Sequence, residues 1–145
     1  MAEFPVLQCP SGIRQESDQE RRARHMVKVE LAKLVKEFSD NVVAETDAVW
    51  AGDAKTGNKH AKRVTRAFDR LRAIGDEGRD ALVPLMSKEH RPDVRLAAAV
   101  FLLRYRHAEA RKVLKELGRG TGLIPFEAQE ALKRWDEGVW QLDPE

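Results

Sequence analysis

Residues 81–105 decide the fold: Ala81-Leu82-Val83-Pro84-Leu85-Met86-Ser87-Lys88-Glu89-His90-Arg91-Pro92-Asp93-Val94-Arg95-Leu96-Ala97-Ala98-Ala99-Val100-Phe101-Leu102-Leu103-Arg104-Tyr105. A short helix between Gly78 and Glu89 carries Ala81, Leu82, Leu85 and Met86, with Pro84 bending it or marking its first turn. Arg91-Pro92 breaks the chain, because a residue before proline avoids the helical region. Asp93 is placed to cap a second helix whose buried face reads Val94, Ala97, Ala98, Phe101, Leu102 and Tyr105. Helix, proline turn and small-centred helix together spell a stacked helical-repeat unit, an architecture that builds binding surfaces more often than catalytic centres.

Downstream, Ile124-Pro125-Phe126-Glu127-Ala128-Gln129-Glu130-Ala131 echoes Pro92-Asp93-Val94-Arg95-Leu96-Ala97-Ala98 at an offset of about 32–33 residues, within the range of helical repeats. This copy is polar and worn, as a terminal cap should be. The closing helices read as 107–117, with Ala110, Val113, Leu114 and Leu117, and 125–136, with Phe126, Ala128, Ala131, Leu132 and Trp135. Gly118, Gly120 and Gly122 separate them, and Pro125 suits a first helical turn.

Upstream, Ser17 with Glu20 forms a capping box. Val27, Leu31, Leu34, Phe38 and Val42 then follow at three- and four-residue steps, one stripe of a helix that runs to about Trp50. A second helix starts at Ala54 or Lys59, buries Val64, Phe68, Leu71 and Ile74, and ends at Gly75 or Gly78. Residues 1–16, with Pro5, Pro10 and Gly12, read as an extended or poorly ordered lead-in. The predicted fold is all-α, a helical repeat (an α-α superhelix) of about five or six helices, in one domain over 17–145.

The 145 residues hold 26 cationic and 24 anionic side chains, net +2, so no strong global field results. Distribution says more. Residues 55–72 hold Lys55, Lys59, Lys62, Arg63, Arg66, Arg70 and Arg72 against the single acid Asp69. The end of the chain is acidic, with Glu127, Glu130, Asp136, Glu137, Asp143 and Glu145, and the two regions either attract each other or offer two differently charged faces. Cys9 is the single cysteine, which excludes an intrachain disulfide and suits a reducing compartment. Neither a secretory signal nor a membrane-spanning run is visible, so a cytoplasmic protein is expected.

Candidate chemistry is sparse. His25, His60, His90 and His107 lie on separate elements, without the paired spacing that aims two metal ligands from one helix face. Gly118, Gly120 and Gly122 follow a helix where a phosphate loop would follow a strand. Asp69 is the one interior acid considered for acid–base work, and an ion pair with Arg66, Arg70, Arg72 or Arg95 explains it better. The reading is of no catalytic residue, no metal and no cofactor. A row of cations remains: Lys59, Arg63, Arg66 and Arg70 share one face opposite Val64, Phe68 and Leu71, with Lys62 beside them. Such a row follows a phosphate backbone or docks on an acidic protein, when it is more than a solvated face. Aromatic residues for stacking on bases do not interleave with it. Trp140 is the other candidate contact, an interface anchor if it stays exposed.

Five segments carry a resemblance: Arg66-Ala67-Phe68-Asp69-Arg70-Leu71, Ala81-Leu82-Val83-Pro84-Leu85-Met86, Pro92-Asp93-Val94-Arg95-Leu96-Ala97-Ala98, Glu109-Ala110-Arg111-Lys112-Val113-Leu114 and a Trp135-Asp136-Glu137-Gly138 end. On these, from about Leu31 to Leu142, the chain resembles the small bacterial family catalogued as domain of unknown function two-thousand-and-nineteen. The middle element is also similar to HEAT repeats. These resemblances imply an α-helical repeat and no established activity. By analogy with HEAT-like and kindred small bacterial proteins that neutralise toxins, the expected function is a non-enzymatic protein-binding module of the immunity or antitoxin type. The alternative is a nucleic-acid-binding protein using the basic helix 59–70. An enzyme with an unrecognised pocket ranks last. No membrane partner is expected, and oligomeric state is left open.

Overall fold

Ser17 starts the first helix in the computed structural model, which describes residues 15–139. The Glu20 backbone N–H donates to the Ser17 hydroxyl at 3.1 Å, and the Ser17 N–H donates to the Glu20 carboxylate at 3.2 Å. Two otherwise orphaned donors are thereby satisfied reciprocally. The helix that follows, α1, runs Asp18–Trp50. By internal contacts the chain divides into two compact units, Met1–Glu30 and Leu31–Glu145, with the division falling inside α1. In the first unit residues 21–30 are all exposed, including Val27, which the apolar stripe had placed on the buried face. Arg21 pairs there with Asp18, and Arg24 with Glu16.

The second unit contains the core. Leu31, Leu34, Phe38 and Val42 of α1 are buried as their spacing predicts. Asp53 caps α2 (Ala54–Ile74), accepting the Thr56 N–H at 3.1 Å. Helix α2 buries Val64, Ala67, Phe68 and Leu71 and leaves Ile74 at the surface. Gly75 ends it at φ 107°, a left-handed conformation that a side chain would resist.

The predicted helix over 78–89 is two pieces: α3 (Asp76–Asp80) and a 3-10 turn over Val83–Met86. Pro84 lies in the first positions of that turn, where its missing N–H costs nothing. Gly78 is buried so closely against α2 that any Cβ would overlap the Leu71 carbonyl oxygen.

Helix α4 (Pro92–Leu102), α5 (His107–Leu117) and α6 (Leu123–Asp136) complete an all-helical array without a strand among the described residues. Arg91 takes the cap position of α4 and Pro92 its first residue, so Asp93 is not the cap. Its carboxylate, buried, instead accepts the Val94 N–H at 2.9 Å and two bonds from the Arg91 guanidinium. Helix α4 packs on the 3-10 turn, α5 and α6. It therefore buries Leu96 and Ala99 beside the expected Val94, Ala98 and Leu102, while Ala97, Phe101 and Tyr105 are half-buried.

Three aromatic rings tie α1, α2 and α4 together. Phe101 meets Phe38 edge-on with centroids 5.5 Å apart, and Phe68 with centroids 4.8 Å apart. Such pairs add to what their buried area contributes. Farther along, Arg95 donates to the Met86 carbonyl at 3.0 Å and pairs with Glu116 at 3.3 Å, joining α4 to the 3-10 turn and to α5. Arg111 pairs with Asp136 at 3.0 Å, joining α5 to α6.

Candidate binding surfaces

The amphipathic pattern of α2 fixes where its cations go. Once Val64, Ala67, Phe68 and Leu71 are turned inward, Lys59, Lys62, Arg63, Arg66 and Arg70 must face water, and all five are exposed. Lys55 joins them, because α2 begins at Ala54 and makes that residue helical. At about 100° per residue the six side chains fall within an arc of roughly 100°, and the row is about 22 Å long. Among the described residues none of the six takes part in an ion pair. Lys55, Asn58, Lys59, Lys62, Arg63 and Arg66 frame a shallow concavity of about 570 Å³ on the helix surface.

Other charges keep to their own partners. Asp69 is exposed and pairs with Arg72 at 3.5 Å, one of the four arginines expected for it; Arg95 is committed to Glu116. Asp69 is thus no interior acid. At the head of α2, hydrogen bonds from the Thr56 hydroxyl and backbone N–H hold the Asp53 carboxyl below its ordinary value. On α6, Asp136 is bonded to Arg111, which lowers its carboxyl in the same way, so this part of the acidic end is engaged with α5. Trp140, Asp143 and Glu145 lie outside the described residues, as do Cys9 and residues 1–14 of the lead-in expected over 1–16.

The four histidines stay apart. His60 Nδ1 lies 2.9 Å from Asn41 Oδ1, a link between α2 and α1, and the His107 ring packs on Trp135 at 5.2 Å. No group of three potential metal ligands occurs among the described residues.

A second surface lies apart from the cationic row. The stripe on α1 that buries Leu34, Phe38 and Val42 continues one turn later into Glu45, Thr46 and Val49. Polar side chains there leave the stripe unsealed, and a groove of about 200 Å³ remains between α1, α4 and α6. Its floor is Val42, Leu96, Ala97, Val100 and Ile124, and Glu45 and Glu127 stand on its walls. It shares Thr46, Asp93, Leu123 and Ile124 with a mouth of about 370 Å³ bounded by Trp50, Pro92 and Gly122. Trp50 is 73% exposed.

Burial pushes the Glu45 carboxyl up, and the nearby charge of Glu127 raises it further. Desolvation likewise raises Glu127, although that residue as a whole is exposed. The sequence offered one clue to this groove, an acid standing on an apolar stripe three residues after Val42. Phe126 offered a misleading one: expected in the core, it is 58% exposed, because α6 turns Ala128 and Ala131 inward.

No family model matches the chain, and no curated protein matches it. Among solved structures, the chain is similar to that described as the crystal structure of the protein RPA1889 from Rhodopseudomonas palustris CGA009. The two share 24% sequence identity with a TM-score of 0.71, over 79% of this chain and 93% of that one. The likeness is one of fold.

Proposed function

We propose that this protein is a non-enzymatic binding module, a short HEAT-like array that recognises an acidic surface on another protein. Its most concrete form is an immunity- or antitoxin-type protein that covers a toxin. Membership of the bacterial family it resembles belongs to the same proposal. The observation that carries the reading is the exposed row on α2, in which six cations face solvent and none is paired to a carboxylate among the described residues. A row so placed raises the local concentration of a partner of opposite charge and speeds its capture. Occlusion needs only surface, which suits a helical array.

Nucleic acid is the second reading, favoured by the same cations and weakened by the lack of aromatic side chains among them. One capture experiment tests the pair. Full-length protein and an Arg63→Glu/Arg66→Glu variant are each used as bait in nuclease-treated and untreated cell extract. A protein partner retained after nuclease, weakened by salt and lost to the variant supports the proposal. Recovery of nucleic acid alone overturns it in favour of the second reading.

A further inference from the structure

We propose that the groove between α1, α4 and α6 is a docking site for an amphipathic helix of a partner protein, one that presents a lysine or arginine among apolar residues. This surface is separate from the cationic row of α2, and the proposal stands or falls independently of that row. Three features of the groove define the occupant. Its floor of Val42, Leu96, Ala97 and Ile124 is apolar and has no capacity to hydrogen-bond a polar chain, so the facing side chains must be apolar. Val49, Trp50 and Leu123 line its edge and are 50%, 73% and 40% exposed, so large apolar surface is left open among the described residues.

Charge supplies the third feature. Glu45 on α1 and Glu127 on α6 both line the groove, where each loses water on burial and the charge of Glu127 further disfavours that of Glu45. A cation set between them relieves both penalties, and an anion adds to them. The remaining charges of the groove are already committed: Asp93 to Arg91 and to the Val94 N–H, and Arg91 to Asp93 and Asp47. Only the two glutamates are left to select an incoming charge. The length also fits. From Val42 to Trp50 the wall of α1 measures about 12 Å, two to three helical turns, which matches anchors at positions i, i+3 or i+4, and i+7 of an occupant.

The probe is a displayed library of randomised helical peptides selected on the full-length protein, followed by one enriched peptide synthesised with a fluorophore. Enriched sequences should carry one Lys or Arg between apolar residues at helical spacing. Replacing that cation by Gln in the synthetic peptide should weaken binding about tenfold, as expected for a half-desolvated charge pair. In the Glu45→Gln/Glu127→Gln variant the two peptides should bind equally, while the Arg63→Glu/Arg66→Glu variant should keep the full preference. Ala97→Trp, which fills the floor, should abolish binding of both peptides with circular dichroism unchanged; if that variant misfolds, the glutamine variant decides. Selection of acidic or wholly polar peptides, no enrichment at all, or a cation preference that survives the double glutamine substitution overturns the proposal.

Discussion

The arginines on the outer arc of α2 and four arginines of the following array are the same residue put to opposite uses. Arg91, Arg95, Arg106 and Arg111 each reach a carboxylate, and Arg95, Arg106 and Arg111 link one element to another. Arg106, for example, bonds Asp80 across the end of α3. The cations on the outer arc of α2 have no such partners among the described residues. A charge tied between two elements fixes their packing and adds little field outside. A charge left open contributes little to stability and sets what the surface attracts. The difference separates what holds this molecule together from what it presents.

Four variants probe the contrast. The largest effect belongs to the inner face of the same helix: Phe68→Ala removes a buried ring packed on Phe101 and should cost about 3–5 kcal/mol in denaturant unfolding. A loss below about 1 kcal/mol would break the assignment of inner and outer faces. Arg95→Ala comes next. It strands the Met86 carbonyl and the Glu116 carboxylate, and a loss of about 1–2 kcal/mol is expected. Arg63→Glu with Arg66→Glu should shift stability by no more than about 0.5 kcal/mol, because nothing in the fold depends on those two head groups. A clear drop in melting temperature would show that the outer row is structural after all.

The smallest effect is one of pH. Glu45 titrates above its ordinary value of 4.5, so the fold favours its neutral form. The stability this gives is present below that value and is lost as pH rises through the raised one. Glu127, Asp93 and Arg91 are the other charged groups lining the groove and its mouth. Glu45→Gln should flatten the fall in stability over that window; melting curves of the two proteins that stay parallel from acid to neutral pH would remove the assignment.

Local signals were legible in the sequence wherever neighbours along the chain decide the outcome. The reciprocal bonds of Ser17 and Glu20, the span of α5 and the inward stripe of α2 as far as Leu71 all follow from spacing and caps, while Ile74, expected on that stripe, is exposed. Errors arose where tertiary packing decides. A stripe rule assumes one buried face, yet α4 is packed from several sides and buries Leu96 and Ala99 as well. Phe126 looked like core because it is large and apolar, but the small Ala128 and Ala131 allow the close approach of α6. The cations of α2 needed only the helical period. The groove needed three elements brought together, and no single stretch of chain records that.

Ten successive exposed residues, 21–30, give α1 a thermal character that changes along its length. A helix without tertiary cover relies on its own propensity and its cap, which are marginal in water over so short a run. From Leu31 onward the same helix is anchored by core side chains. Amide protons should therefore exchange quickly before Leu31 and slowly from Leu34 to Val42, so one uninterrupted helix carries a gradient of opening rates.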